Sequence, residues 1–169
     1  MRTLFVFLWL AVPSLAADWT VYLTHVGPFR LGMTLAEVRA VLSDRQARLE
    51  NGIDDVPVSE CSYVRSDRLP KDIGIMFAHG RIVRIDVFSG SYRTASGAAI
   101  GYSEEQIKSM YPGHIQVEPH HYTDGHYLNY SPRSRAERKY GIVFETDGGK
   151  VTSYRIGTRA AIALVEGCA

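Results

Sequence analysis

The chain has 169 residues, of which 46% are apolar and 22% charged. That is the balance of one ordinary soluble domain and excludes a disordered tail, a collagen-like fibre and a multi-span membrane protein. Nineteen Lys and Arg against eighteen Asp and Glu leave a net charge of +1, so no broad field exists to hold nucleic acid or an acidic membrane surface.

Residues 1–16 read as an export signal. Arg2 opens the segment, an apolar run covers Leu4–Val12 and Pro13 breaks it. Ser14-Leu15-Ala16 then places small residues before a cleavage site. The apolar run is about half the ~20 residues that a membrane-crossing helix needs. The mature chain is expected to start at Ala17, with no net charge, no lipid-anchoring cysteine and no integral membrane segment, in the periplasm or outside the cell. In such a compartment the two cysteines, Cys61 and Cys168, are expected to pair. The bridge would staple the C-terminal end to the middle of the chain, and loop closure on that scale contributes about 4–5 kcal/mol.

The strongest internal signal is self-similarity. Leu31-Gly-Met-Thr-Leu-Ala-Glu-Val-Arg-Ala-Val-Leu42 returns 69 residues later as Ile100-Gly-Tyr-Ser-Glu-Glu-Gln-Ile-Lys-Ser-Met-Tyr111. Thr34 with Glu37 and Ser103 with Gln106 both fit a capping box, in which side chains and orphan backbone N–H groups satisfy each other. Leu35, Val38 and Leu42, then Ile107 with Met110 or Tyr111, follow at helical spacing. Leu49–Pro57 reads as an exposed loop and Glu60–Val64 as a candidate strand.

Hairpins follow each helix. Gly74–Val87 reads as two strands about a turn at His79-Gly80, although Ile82 breaks the alternation, and Gly141–Ile156 repeats the pattern about Asp147-Gly-Gly149. Ile115–Glu118 and His126–Tyr130 offer a further hairpin in the second unit. The pattern predicts an α+β fold of two tandem helix-plus-antiparallel-sheet repeats packed as one body, with the helices on one face. The units are 17–88 and 97–169, joined by a connector at 89–96, and the second ends in the disulfide tail.

A helix opening Gly-Met-Thr-x-x-Glu-Val at 32–38, followed by strands that end in a Phe–turn–Gly–apolar hairpin, resembles an exported superfamily. It includes the SmpA/OmlA outer-membrane assembly lipoproteins and the tandem-repeat β-lactamase inhibitor protein. The second copy keeps Gly101 and Ser103 but has Tyr102 in place of Met. The resemblance covers about 27–157 and implies a non-catalytic protein-binding module that works through the concave face of its sheet. The chain departs from the lipoproteins in lacking a cysteine after the signal, and from the inhibitor in its cysteine positions.

Chemistry-bearing side chains are densest in Glu118–Tyr130, where His120, His121, Tyr122, Asp124, His126, Tyr127 and Tyr130 gather. Tyrosine and histidine at this density suit a recognition surface. The alternative is a small-ligand, glycan or metal binder centred on the same hairpin, but neighbouring strand residues point to opposite faces. His120 and His121 serve one ion only where the chain turns, as Thr123-Asp124-Gly125 permits. No metal or cofactor is assigned. Catalytic signatures such as Gly-x-Ser-x-Gly, HExxH or a P-loop do not occur, so no enzyme is expected. The acid pairs Asp54-Asp55 and Glu104-Glu105 read as a solvated loop and a helix's first turn. Arg133–Lys139, four bases against one acid, reads as a solvated loop or a docking site for an acidic partner. The expected partner is another envelope or secreted protein.

Overall fold

The computed structural model describes residues 19–50 and 61–168. The expected export signal, the Asp54-Asp55 pair and most of the expected loop at 49–57 lie outside them. Among the described residues the fold is mixed, with three short helices and eleven strands in two antiparallel sheets. No described helix is long and apolar enough to cross a membrane.

Three two-residue strands open the described chain, β1 (Val21–Tyr22), β2 (His25–Val26) and β3 (Phe29–Arg30), and form the smaller sheet. The connector holds them in place, because the Val21 N–H donates to the Arg93 carbonyl at 2.8 Å and Ala95 N–H to the Val21 carbonyl at 2.9 Å. Trp19 packs on both Phe29 and Tyr92 across this joint.

Helix α1 (Leu35–Leu42) then follows its capping box, with Thr34 N–H on Glu37 Oε2 at 2.7 Å and Glu37 N–H on Thr34 Oγ1 at 3.3 Å. Four strands come next: β4 (Arg48–Leu49), β5 (Ser62–Arg65), β6 (Ile73–Ala78) and β7 (Arg81–Val87). Leu49 is therefore a buried strand residue rather than the start of an exposed loop. Its side chain lies in the main core, and its backbone pairs with Val64.

The order recurs. Helix α2 (Glu104–Met110) carries the same box on Ser103 and Gln106, at 2.8 and 3.2 Å. Strands β8 (Ile115–Pro119), β9 (His126–Tyr130), β10 (Tyr140–Asp147) and β11 (Lys150–Thr158) follow. The larger sheet runs β4-β5-β6-β7-β11-β10-β9-β8, so the second set of strands mirrors the first about the β7–β11 seam. There Asp86 stands opposite Arg155, and Ile85 opposite Ile156.

Equivalent backbone contacts tie each helix entry to its hairpin. Gly32 N–H donates to the Ile82 carbonyl and Ile82 N–H to the Met33 carbonyl, both at 2.8 Å. Gly101 N–H donates to Val151 and Val151 N–H to Tyr102, at 2.8 and 2.9 Å. Gly32 and Gly101 make these entries at φ of +89° and +87°, a conformation costly for any residue with a Cβ. A β-bulge follows in each hairpin, between Met76 and Phe77 and between Glu145 and Thr146. The first bulge explains why Ile82 breaks the alternation: Phe77 pairs with Ile82, but Met76 pairs with Arg84, so Val83 is an extra residue.

Helices α1 and α2 are too short to hold without tertiary packing. Val38 and Ile107 are fully buried in one continuous core with Ile75, Phe77, Ile85, Leu128, Phe144, Tyr154 and Ile156. Burying each such side chain is worth roughly 1.5–3 kcal/mol.

Helix α3 (Arg159–Ile162) lies on the opposite face, beyond the reach of a helices-on-one-face description. Its Ile162 packs with Tyr127 and Val143 in a second, smaller core. Gly141 and Gly157 stand opposite each other on β10 and β11 and form the floor beneath it. A Cβ on Gly157 would come within 2.6 Å of the Val83 carbonyl oxygen and 3.0 Å of Ile162. Gly157→Ala is expected to lower stability by about 1–3 kcal/mol, read as a lower urea midpoint at an unchanged m-value.

Candidate functional site

Alternation along the strands sends one set of side chains into the main core and the other set to the opposite face. On that second face, the middle of the sheet carries charge. Arg84 and Asp86 are both buried and meet through Nη2 and Oδ1 at 2.6 Å and through Nε and Oδ1 at 2.7 Å. Tyr63 donates its hydroxyl to the other oxygen of Asp86 at 3.0 Å. Across the seam, Arg155 pairs with Glu145, which also accepts from the Ser153 hydroxyl at 3.0 Å.

Burial pushes the Asp86 carboxyl up, against the pull of Arg84, Tyr63 and Arg155. Burial together with the Asp86 charge raises the Tyr63 hydroxyl well above its ordinary range, so it remains a donor. Among the described residues every buried side-chain polar atom has a partner, as a charged network in a low-dielectric setting requires.

The C-terminal tail completes the network. Thr158 caps α3, and the chain then crosses the sheet to Cys168, which is bonded to Cys61 with a Cα–Cα distance of 5.5 Å. Arg84 Nη1 donates to the carbonyls of Ala161, at 3.2 Å, and Leu164. Arg155 Nε donates to the Ile162 carbonyl at 2.7 Å. Val165 packs with Ile162 against Tyr127 and Val143. The disulfide is consistent with an extracellular or periplasmic location.

Beside the tail, described residues line a groove of about 1300 Å³. Its floor includes Gly74, over which the rings of Phe88 and Tyr63 lie. Phe88 is 52% exposed. Arg48, Glu50, Arg65 and Lys71 line the outer wall, where Arg65 pairs with Glu50, and Glu166 and Gly167 of the tail line the inner one.

The histidine–tyrosine segment divides between the two faces. Ile115–Pro119 and His126–Tyr130 do form the expected hairpin. His120 stacks on Tyr127 with centroids 4.4 Å apart, and the His121 ring lies 5.6 Å from the same tyrosine. Tyr122, 66% exposed, donates to Glu166 of the tail. His120 Nδ1 accepts from the backbone N–H groups of Tyr122 and Thr123 at 3.1 and 3.2 Å, so it shapes the turn. Asp124 is exposed in that turn.

His126 and Tyr130 go the other way. Tyr130 packs at a tilt against Tyr111 of the helix layer, with centroids 4.6 Å apart. His126 Nδ1 meets Glu104 Oε1 at 2.8 Å, where the Thr146 hydroxyl also donates at 2.8 Å. Glu104 is thus a buried network member rather than a solvated first-turn acid. Burial would raise its carboxyl, but His126, Thr146 and Lys108 together hold it below the ordinary carboxylate range. Among the described residues no three His, Cys, Asp or Glu side chains converge as a metal site.

Arg133–Lys139 is exposed throughout and contains a single 3-10 turn at Arg135–Glu137. Arg133 Nε donates to His114 Nε2 at 2.8 Å.

Tyr63, Arg84, Asp86, Phe88, Glu145 and Arg155 are absent from the residues that sequence reasoning singles out. Their one signal is spacing, since Arg155 repeats the position of Asp86 after the same 69 residues that separate the helices. Arg84→Met is expected to strand the Asp86 charge and cost roughly 3–5 kcal/mol, with most of the loss recovered in Arg84→Met with Asp86→Leu; urea unfolding at neutral pH compares the three chains. Comparison with protein-family models, with curated proteins and with solved structures finds no match for the chain.

Proposed function

We propose that this is an exported, non-catalytic binding protein that engages another envelope or secreted protein through the face of its sheet. In this reading the two helix-plus-sheet segments are tandem repeats of the superfamily that the Gly-Met-Thr-x-x-Glu-Val opening resembles, acting in an inhibitor-like or assembly-factor-like way. The groove beside the tail is the observation that carries the proposal. At about 1300 Å³ it exceeds the roughly 300–1,000 Å³ of most small-molecule pockets and suits a stretch of polypeptide.

Its chemistry supports a protein partner as well. Exposed Phe88, half-buried Tyr63 and the guanidinium groups of Arg48 and Arg65 stand together on one wall and floor. Aromatic side chains and arginine carry most of the energy in protein interfaces, each anchor being worth about 2 kcal/mol or more. The 118–130 hairpin takes part as a rim: Tyr122 and Glu166 close the far side of the tail, while Tyr127 lies beneath the tail.

Affinity capture from the native envelope extract, with the tagged mature protein as bait, tests this reading. One stoichiometric protein partner is expected, and Phe88→Ser with Arg65→Glu should weaken its capture at least about 30-fold without lowering the unfolding midpoint. Capture unchanged by that pair, or no partner above background, contradicts it.

A further inference from the structure

The sheet face already holds an occupant, and the chain supplies it. Residues 159–168 make one helical turn and run across the sheet to the Cys61 bond. Three kinds of contact hold this tail. Ile162 and Val165 are aliphatic anchors against Tyr127 and Val143. The carbonyls of Ala161, Ile162 and Leu164 accept from the buried guanidinium groups of Arg84 and Arg155. The disulfide ties down the end.

Main-chain carbonyls read by fixed donors, with pockets for alternate side chains, are the ordinary means of holding a peptide. None of the three contacts requires that the peptide belong to the same chain. A four-residue helix has no stability of its own, so the tail's position depends on the face beneath it and on the covalent tie. That tie adds a second tether to the peptide bond at Thr158, and opening it lowers the tail's effective concentration over the face. Both Cys61 and Cys168 are only half-buried.

On the protein-binding reading given above, we propose that the tail is a built-in ligand for the covered half of the sheet, latched by the Cys61–Cys168 disulfide. Opening the disulfide with a dithiol donor frees that half for a partner peptide with two aliphatic anchors and exposed carbonyls. The donor's two thiols become a disulfide, and its two electrons and two protons leave Cys61 and Cys168 as free thiols.

Hydrogen exchange on the full mature chain, oxidised and then treated with a dithiol, reads the latch directly. Amides of 159–167 should exchange roughly ten-fold faster or more after reduction and approach unprotected rates, while β6, β7 and α1, which register only the lost loop closure, stay protected. A fluorescent peptide of residues 158–167 is the binding probe. It should bind the full chain carrying Cys168→Ser and Ile162→Asp, whose own tail lacks both tie and anchor, and should not bind the oxidised wild type. A tail that stays protected after reduction overturns the proposal, as does equal loosening of β6, β7 and α1. The exchange arm uses unmutated protein, so it decides the matter even where the variant is unfolded. A tail that releases and a peptide that binds, with no protein captured in either redox state, would uphold the latch and remove the partner reading. Equal capture in both states with the tail still protected would remove the latch and keep the partner in the groove.

Discussion

Where β7 meets β11, Asp86 stands opposite Arg155 and Ile85 opposite Ile156, and this seam joins two four-stranded halves into one sheet. A half alone, one short helix over four strands, would bury too little apolar surface to be stable. Joined, the halves share a core that runs without interruption from Val38 under α1 to Ile107 under α2. The same seam sets a buried charge network in the middle of the opposite face, because the residues alternating with Ile85 and Ile156 are Asp86, Arg84 and Arg155.

That network determines what lies above it. Buried guanidinium groups need acceptors on every side, and here the remaining acceptors are carbonyls of the C-terminal tail. The floor made by Gly141 and Gly157 lets Ile162 approach the sheet closely enough for those bonds to form. The disulfide then fixes the far end of the tail beside β5. One half of the face is therefore closed by the chain itself, and on the other half described residues, Tyr63, Phe88, Arg48, Arg65, Glu50 and Glu166 among them, line a groove.

Much of the fold is legible in the sequence because its signals are local. The capping boxes of Thr34 and Ser103 lie within four residues of each helix start, and the Gly148-Gly149 turn marks its own hairpin. The strands β1, β2 and β3 are not legible, since two-residue strands exist only through partners as distant as Arg93. Ile82 reads as a flaw in the pattern until pairing with β6 reveals the bulge. Glu104 reads as a first-turn acid near the helix dipole, but His126 and Thr146, brought in by β9 and β10, turn it into a buried acceptor. The candidate site is less legible still. His120, Tyr122 and Tyr127 do gather near the tail, while a period of two carries His126 and Tyr130 to the helix side. Arg84, Asp86 and Arg155 each look like ordinary solvent-facing strand residues; Arg84 and Asp86 share a face of β7, but only the seam brings Arg155 beside them under the tail.

On the reading proposed above, the face away from α1 and α2 is the working surface. The most direct test of that reading is an exchange footprint of the mature protein bound to its captured partner. Slowed amide exchange is expected in 62–65, 73–76 and 84–88, with α1 and α2 unaffected. Protection confined to α1, α2 or the 131–139 loop would contradict it.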